Sequence, residues 1–469
     1  MDLNNIKNID LSIVLQQSIS SDVANHFMII PKEISEAEYI FFIDETKQAE
    51  ANAIKEELRL LFDKTITLEI TASSIINKAL ATYYRKNNEK PKLVSYGNDF
   101  LEELIFEAKH INASDIHIEI YEEDVRVRLR IDGQLIEKNH IKKDYYLELI
   151  NQIKIKSNLD ITEKRLPQDG RIEYDNFDIR VSILPTHHGE KVVMRILGRD
   201  ASHLNINDLG FEDDELRIYL EAVKKTNGIV LISGPTGSGK TTTLYGTLKF
   251  LNDTKRNIVT VEDPIEYTLK GINQVQLKEN IGLTFTSALR SFLRQDPDII
   301  MLGEIRDAET AQMAIRASLT GHLVLSTIHT NSAVGTISRL IDMGIPSFLI
   351  AETINISVAQ RLVRTLCENC KREEDFNEKD LPLSFNAPKK ISKHYISVGC
   401  DKCYHTGYKG RKAIYEVLPI DSKVAEAIKN NTLEQSNFTK NNKLSDKAFD
   451  MLSKGMTSLD EIYPMLINS

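Results

Sequence analysis

The sequence lacks any run of about eighteen apolar residues, so we expect no segment that spans a bilayer. The first eleven residues carry Asp, Asn and Lys and have no apolar core, which is not the pattern of a signal peptide. An excess of positive charge is also missing, because 59 Lys and Arg against 68 Asp and Glu give a net charge of −9. This balance disfavours a nucleic-acid-binding surface as the main role of the chain, so we expect no nucleic-acid partner.

Cysteine is scarce: the chain has four, and all of them lie between 367 and 403. They form two C-x-x-C pairs, Cys367 with Cys370 and Cys400 with Cys403, separated by a polar insert. In a cytosolic chain this arrangement points to a metal rather than to disulfides. Four thiolates suit tetrahedral Zn²⁺ in a closed, structural site, whereas a redox C-x-x-C would not need a second pair.

At 469 residues the chain is too long for one core. Strict alternation of aliphatic and arginine side chains over 125–131 predicts an antiparallel sheet with one buried face, and helical spacing appears at 49–62 and 74–84. We also predict strands at 27–30 and 39–43. The predicted segments are a small α/β module at 1–84, a linker at 85–95, an α+β domain at 96–204, a parallel α/β core at 205–360, a tetracysteine zinc module at 361–412 and a helical region at 413–469.

A phosphate-binding motif opens the predicted core. An apolar strand at 228–233 leads into G-x-x-x-x-G-K-T, and a helical stretch follows to residue 251. Such a loop surrounds phosphate with backbone N–H groups, while its lysine reaches the β- and γ-phosphates and its last hydroxyl ligates Mg²⁺. The predicted ATP-binding residues are Gly234, Pro235, Thr236, Gly237, Ser238, Gly239, Lys240, Thr241 and Thr242.

Acidic residues end two later apolar strands: Glu262 follows the strand at 258–261, and Glu304 follows the strand at 298–302. Ligands sit at the carboxyl ends of parallel strands, so both acids are candidates for the metal and for the attacking water. A solvated strand end or a helix cap explains either acid alone equally well. His329 lies just past a third strand, and we favour a contact that senses the γ-phosphate over a packing role.

Several segments together resemble a known family. Residues 260–266 resemble the aspartate box of the secretion ATPases, residues 293–307 their Walker B region, and residues 320–331 their histidine box. Matching motifs precede the core at 113–119, 166–171, 180–186 and 189–195. Over about 95–420 the chain therefore resembles the type II secretion and type IV pilus assembly ATPases.

This resemblance implies an α/β fold with a RecA-like P-loop NTPase core, preceded by an α+β, PAS-like domain. It makes Glu262 the general base or water-orienting acid and gives Mg²⁺ to Glu304 and Thr241. It also makes Arg180 and Arg195 arginine fingers that neutralise charge on the transferring phosphoryl group. Alternation on a half-buried strand explains exposed arginines at these two positions as well.

The resemblance further implies a homo-hexameric ATPase at the cytoplasmic face of the inner membrane, bound peripherally to its machine. Its expected partners are an inner-membrane platform protein and a second membrane-anchored assembly protein, which residues 1–84 would dock. Domain rotation would occur at a hinge near 196–210. The family has the zinc module in its secretion and pilus-extension members and lacks it in the retraction branch. Pilus retraction, DNA uptake and a DNA-translocating ring are the alternative functions.

Overall fold

The computed structural model describes residues 9, 11, 12, 15, 18–35, 37–84, 92–93, 99–122, 124–198, 204–433 and 443–467. Their strands form three larger sheets and one two-stranded sheet. Within these ranges no helix combines the length and the apolar character needed to cross a membrane. Most of the predicted linker at 85–95 and the centre of the predicted hinge, residues 199–203, lie outside the described residues.

The N-terminal sheet has the order β1–β2–β3, with β1 antiparallel and β3 parallel to β2. Its elements are α1 Ser21–Phe27, β1 Ile29–Ile34, β2 Glu38–Asp44, α2 Ala51–Phe62, β3 Thr65–Thr71 and α3 Ser73–Tyr83. The helices predicted at 49–62 and 74–84 are confirmed. The strand predicted at 27–30 is wrong in its first two residues, because Phe27 ends a helix and Met28 turns the chain with a positive φ of 53°.

The second sheet has seven strands in the order β4–β7–β6–β5–β10–β9–β8, and all neighbours are antiparallel except β4 and β7. Its elements are β4 Lys92–Leu93, α4 Phe100–His110, β5 Asp115–Ile120, β6 Asp124–Ile131, β7 Gln134–Lys142, α5 Lys143–Lys156, β8 Gln168–Glu173, β9 Phe177–Thr186 and β10 Gly189–Gly198. Aliphatic side chains of the strands, such as Ile118 and Val127, share one core with α4 and α5. The predicted antiparallel sheet with one apolar face is thus confirmed.

The third sheet has the order β13–β12–β14–β15–β11–β16–β19, in which the first six strands are parallel and β19 is antiparallel to β16. The elements of this part of the chain are α6 Asp213–Val223, β11 Gly228–Ser233, α7 Lys240–Leu251, β12 Ile258–Glu262, β13 Asn273–Gln276, α8 Phe285–Phe292, β14 Ile299–Leu302, α9 Ala308–Leu319, β15 Leu323–Ile328, α10 Ala333–Asp342, α11 Ser347–Thr353, β16 Ile354–Leu366, β17 Arg372–Asp375, β18 Lys393–Ile396 and β19 Tyr408–Pro419. Of these, β17 and β18 pair antiparallel with each other and form the two-stranded sheet.

Both faces of this third sheet are buried. Ile229 and Leu231 of β11 point into one apolar cluster, while Val230 and Ile232 point into another on the opposite face. A continuous apolar strand is what a parallel sheet covered on both sides requires. The C-terminal helices α12 Ser422–Lys429, α13 Leu444–Ser453 and α14 Leu459–Ile467 add to the first cluster. Since β16 crosses the predicted boundary at 360 and β19 follows the cysteines, the tetracysteine segment is inserted between two strands of the core sheet.

Candidate functional site

The loop between β11 and α7 lies directly against β16. A Cβ atom on Gly234 would lie 2.5 Å from the carbonyl oxygen of Gln360, and one on Gly239 would lie 2.8 Å from Gln360 Nε2. Both glycines also have positive φ, 149° and 89°. Close backbone approach and left-handed conformation therefore restrict these two positions to glycine. The loop therefore leads directly into the N-terminus of α7, and a helix N-terminus attracts phosphate.

Lys240, the first residue of α7, is only 9% exposed. Its ammonium donates hydrogen bonds to the carbonyl oxygens of Gly234 at 2.9 Å and Pro235 at 3.0 Å. Burial lowers the pKa of Lys240, and the nearby Glu304 carboxylate opposes that shift. The Lys240 ammonium is therefore partly desolvated, and groups of the chain compensate its charge only in part. Such a cation binds phosphate oxygens well.

A cleft of about 490 Å³ opens beside this loop at the carboxyl ends of β12, β14 and β15. This volume is within the range of about 300–1,000 Å³ for small-molecule sites. The cleft brings together nine of the predicted residues: Thr236, Gly237, Gly239, Lys240, Thr241, Thr242, Glu262, Glu304 and His329. Gly234, Pro235 and Ser238 belong to the loop but do not line the cleft, and Pro235 instead faces a separate cavity.

Phe285, Leu362 and Arg411 are among the residues that line the cleft without having been predicted. Leu362 comes from β16 and Arg411 from β19, strands that follow the phosphate loop by more than a hundred residues. Arg411 Nε also lies 3.5 Å from Asp132 Oδ1 of the second sheet. No local sequence pattern marks these residues, because only the strand order places them beside the loop.

Glu262 is buried at the back of the cleft, with 4% of its surface exposed. One carboxylate oxygen accepts hydrogen bonds from Thr260 Oγ1 at 2.5 Å and Gln274 Nε2 at 3.1 Å, and the other accepts one from the Tyr245 hydroxyl. Burial raises the pKa of Glu262, and these three donors act against the rise. Its carboxylate is therefore fixed in position, with a proton affinity above that of an ordinary glutamate.

Glu304 lies at the mouth of the same cleft, between two side chains that can carry positive charge. Its Oε2 is 3.1 Å from His329 Nε2, and its Oε1 contacts the guanidinium of Arg306. The Glu304 side chain is 15% exposed, whereas that of His329 is 52% exposed. His329 thus reaches the cleft from solvent and is linked directly to an acid at the end of the neighbouring strand.

Arg180 and Arg195 do not line the cleft, but Arg180 binds its rim. Arg180 Nη2 donates to the carbonyl oxygen of Ile265 at 2.7 Å, and Nη1 lies 3.6 Å from a carboxylate oxygen of Glu266, which does line the cleft. Arg195 is the register partner of Arg180 across β9 and β10, and its Nε donates to Asp115 Oδ1 at 2.9 Å. Directly opposed residues share one face of a sheet. Both arginines therefore project from the sheet face that meets the rim.

The four cysteine sulfurs converge at one point, and all lie within 4.8 Å of one another. Tetrahedral zinc with Zn–S bonds of about 2.3 Å requires sulfurs about 3.8 Å apart. The observed separations are 3.9 Å for Cys367 and Cys400, 3.8 Å for Cys370 and Cys403, and 3.8 Å for Cys400 and Cys403. Backbone N–H groups also point at the sulfurs, for example Gly399 N at 3.3 Å from Cys370 Sγ. The cluster fits a structural zinc ion.

Replacing Cys403 with serine is expected to reduce bound zinc from about one ion per chain to near zero, because the site loses one of four ligands. The insert between β16 and β19 then loses its cross-link, so the thermal midpoint should fall by at least about 5 °C. Elemental analysis and a thermal unfolding scan measure the two effects. Ser392→Ala, an exposed change in the same insert, is the control and should alter neither. If removing zinc from the wild-type protein left its thermal midpoint unchanged, the assignment of a structural zinc site would be contradicted.

A family model, described as "Type II/IV secretion system protein", matches residues 95–464. The "Type II secretion system protein E" of Pseudomonas aeruginosa is 46% identical over 367 residues, which cover 76% of this chain and 73% of that protein. The "Type IV pilus assembly ATPase PilB" of Myxococcus xanthus is 50% identical over 335 residues, which cover 70% of this chain and 59% of that protein. The matched part of this chain thus spans about three fifths of the Myxococcus relative.

Among solved structures, the "Pilus Retraction Motor PilT and Bound ADP" superposes with a TM-score of 0.54. It is 25% identical in sequence, and the match covers 76% of this chain and 94% of that one. The predicted mixed α/β fold with a P-loop ATPase core agrees with this likeness. The part of the chain before residue 95 lies outside the family match.

Proposed function

The chain belongs to the Type II/IV secretion system protein family, and we propose that it is an ATP-hydrolysing motor for type II secretion or type IV pilus assembly. The observation that carries this proposal is the cleft in which the phosphate loop, Lys240, Glu262 and Glu304 meet at one end of the core sheet. Identities of 46% and 50% to a secretion protein and a pilus assembly ATPase favour these machines over pilus retraction, whose motor is 25% identical. The cysteine cluster supports the same choice.

In this proposal the loop from Gly234 to Thr242 binds the phosphates of ATP, and Lys240 turns from its own loop carbonyls to the β- and γ-phosphate oxygens. Thr241 and Glu304 both line the cleft and would hold Mg²⁺, which when bound supplies charge neutralisation at the phosphates. His329, attached to Glu304, senses whether the γ-phosphate is present. Each role follows from a side chain that already faces the cleft.

Glu262 is proposed to orient the attacking water or accept its proton. A general base works best when its pKa lies near the operating pH, and burial moves the pKa of Glu262 in that direction. Its three hydrogen-bond donors keep the carboxylate at one place in the cleft wall. Fixed geometry of this kind lowers the cost of aligning a water with the γ-phosphate.

Arg180 and Arg195 are proposed to complete the site as arginine fingers when the second sheet closes on the cleft. Arg180 already touches the rim at Ile265 and Glu266, and its register partner Arg195 would approach the phosphates as the second sheet closes. Cyclic alternation of such closures around a homo-hexamer would convert hydrolysis into rotation of the sheets. Residues 196–210 connect the two sheets and are the proposed hinge.

We further propose that the hexamer works at the cytoplasmic face of the inner membrane, against a platform protein. Residues 1–84 would dock a second membrane-anchored assembly protein, and no nucleic acid is required. DNA uptake or DNA translocation is the competing function and predicts ATPase activity stimulated by DNA and sensitive to salt. The net charge of −9 disfavours such an interface.

The proposal is tested by replacing Glu304 with glutamine, which keeps the shape of the side chain and removes its charge. We expect kcat for ATP hydrolysis to fall about 10²-fold, because charge at the metal and γ-phosphate is lost, while binding of a fluorescent ATP analogue persists. Glu262→Gln should lower kcat by a similar factor.

The control is Glu352→Gln, an exposed glutamate paired with Lys429 and remote from the cleft, which should hydrolyse ATP at the wild-type rate. Wild-type kinetics in both Glu304→Gln and Glu262→Gln would contradict the proposed site. An inactive wild-type hexamer would contradict the proposed activity itself.

A further inference from the structure

Tyr245 lies on α7, five residues after Lys240, and its side chain is completely buried. It does not line the cleft. Its ring packs edge-on against that of Tyr267, with ring centroids 5.6 Å apart. A phenol buried this deeply needs partners for its hydroxyl. Its partners lie at the end of β12 and in residues 263–267, so Tyr245 joins α7 to two other parts of the ATP site.

The Tyr245 hydroxyl donates its proton to the carboxylate of Glu262. The same oxygen accepts from the backbone N–H of Glu266 at 3.3 Å and from that of Tyr267 at 3.5 Å. A phenol has one proton to donate and lone pairs with which to accept. Because the carboxylate takes the proton, the hydroxyl acts as an acceptor toward the 263–267 segment and toward Gln274 Nε2 at 3.5 Å, and its orientation is fixed at both ends.

The 263–267 segment is also bound from the other side by the second sheet. Arg180 Nη2 donates to the carbonyl oxygen of Ile265 at 2.7 Å, and Nη1 approaches the Glu266 carboxylate at 3.6 Å. A displacement of Arg180 therefore pulls on the same segment in which the N–H groups of Glu266 and Tyr267 hold the Tyr245 hydroxyl. The path from Arg180 to Glu262 runs through one segment and one side chain.

We propose that Tyr245 is a positioning residue that couples docking of Arg180 on residues 263–267 to the placement of the Glu262 carboxylate. This inference rests on the proposed ATPase function. It links movement of the second sheet to the position of the water that Glu262 orients. When Arg180 leaves the segment, the acceptor side of the hydroxyl is disturbed, and Glu262 loses its fixed donor. Hydrolysis is thereby restricted to arrangements in which Arg180 contacts the segment, and the closure that brings Arg195 to the phosphates must keep this contact.

The charge environment of Glu262 makes this link measurable. The groups that face its carboxylate are the Tyr245 phenol on α7, the Thr260 hydroxyl on β12, the Gln274 amide on β13 and the Glu266 carboxylate on the 263–267 segment. Removing the phenol removes one hydrogen bond to the charged form, so the pKa of Glu262 should rise further. Since the ionised carboxylate is the active form, the acid limb of the pH–rate profile should move to higher pH.

The test is Tyr245→Phe in the full chain, with ATP as the substrate. We expect kcat at neutral pH to fall about 10- to 100-fold, the effect of losing one hydrogen bond to a charged group, while KM for ATP changes less than about 3-fold. The matched control is Tyr219→Phe. Tyr219 lies on α6 and is also fully buried. Its hydroxyl bonds Thr247 on α7, the helix that carries Tyr245, yet it makes no contact with Glu262. The control should keep the wild-type acid limb.

A double-mutant cycle tests the coupling itself. In an Arg180→Ala background, Tyr245→Phe should lower kcat by less than about 3-fold further, because the two changes interrupt one path. Fully additive losses, or an acid limb that stays in place in Tyr245→Phe, would overturn the inference while leaving the ATPase proposal intact. If Tyr245→Phe does not fold, Arg180→Ala alone carries the test: its acid limb should also move to higher pH, and an unmoved limb overturns the coupling. A wild type without ATPase activity would instead refute the proposed function.

Discussion

Replacing Lys240 with alanine is expected to lower kcat for ATP hydrolysis by about 10³-fold, the largest loss from any single change in the phosphate loop. The Lys240 ammonium is nearly buried at the start of α7. Burial removes water from its charge and lowers its pKa, and bound phosphate would replace the lost stabilisation. Removal of this charge weakens stabilisation of the negative charge that develops on the transferring phosphoryl group. Phosphate release at saturating ATP measures the loss.

Lys249→Ala is the control for Lys240→Ala. Lys249 lies in the last turn of the same helix and does not line the cleft, so its variant should retain wild-type activity. Equal activity of Lys240→Ala and wild type would show that hydrolysis takes place elsewhere. Equal loss in both variants would trace the effect to the helix rather than to the lysine charge.

Replacing Arg195 with alanine is expected to lower kcat by about 10³-fold while ATP binding changes less than about 3-fold. In the present arrangement its guanidinium is 60% exposed and bound to Asp115, outside the cleft. It can therefore act only after the second sheet closes, when charge has moved onto the γ-phosphoryl oxygens. An interaction made only in the transition state affects kcat and leaves ground-state binding unchanged.

Arg217→Ala, an exposed arginine on α6 paired with Asp214, is the control for Arg195→Ala and should hydrolyse ATP normally. Competition between labelled and unlabelled nucleotide gives the binding constants. An Arg195→Ala variant with wild-type kcat would show that the site reacts without this finger. A variant that no longer binds ATP would place Arg195 in the ground-state site instead.

The phosphate loop was predictable because all its determinants are local. The apolar strand at 228–233, the three loop glycines and the lysine at the helix start are consecutive in sequence, and each has one physical purpose. The placement of Glu262 and Glu304 beside this loop was predictable for a related reason. Each ends an apolar strand, and parallel strands bring their carboxyl ends to one edge of a sheet.

The contacts that cross between elements were not predictable in the same way. Tyr245 sits in a helix where an aromatic side chain is ordinary core, and only the fold shows its hydroxyl against Glu262. The partner of Arg180 is the backbone carbonyl of Ile265, a group that every residue carries and no sequence pattern marks. The first contact depends on how α7 packs against β12, and the second on how the second sheet lies against the core.

The edge of the core sheet shows a second limit of sequence reasoning. The region at 413–469 was predicted to be helical, yet residues 413–419 belong to β19, which pairs antiparallel with β16 across the intervening tetracysteine insert. That pairing carries Arg411 into the cleft beside the phosphate loop. Spacing of the cysteines predicted their cluster, because two C-x-x-C pairs have few other uses. Only the strand order shows that the cysteine-bearing insert joins β16 and β19, the two strands that bring Leu362 and Arg411 to the cleft.

Hydrolysis by an assembled ring is tested by the specific ATPase activity measured against protein concentration, with molar mass followed in parallel by light scattering. We expect activity per chain to rise as rings assemble, and Arg195→Ala to assemble and bind ATP yet stay inactive at every concentration. Specific activity that is independent of both concentration and Arg195 would contradict this expectation. The site would then close without the second sheet, and hydrolysis would not be tied to the motion of a ring.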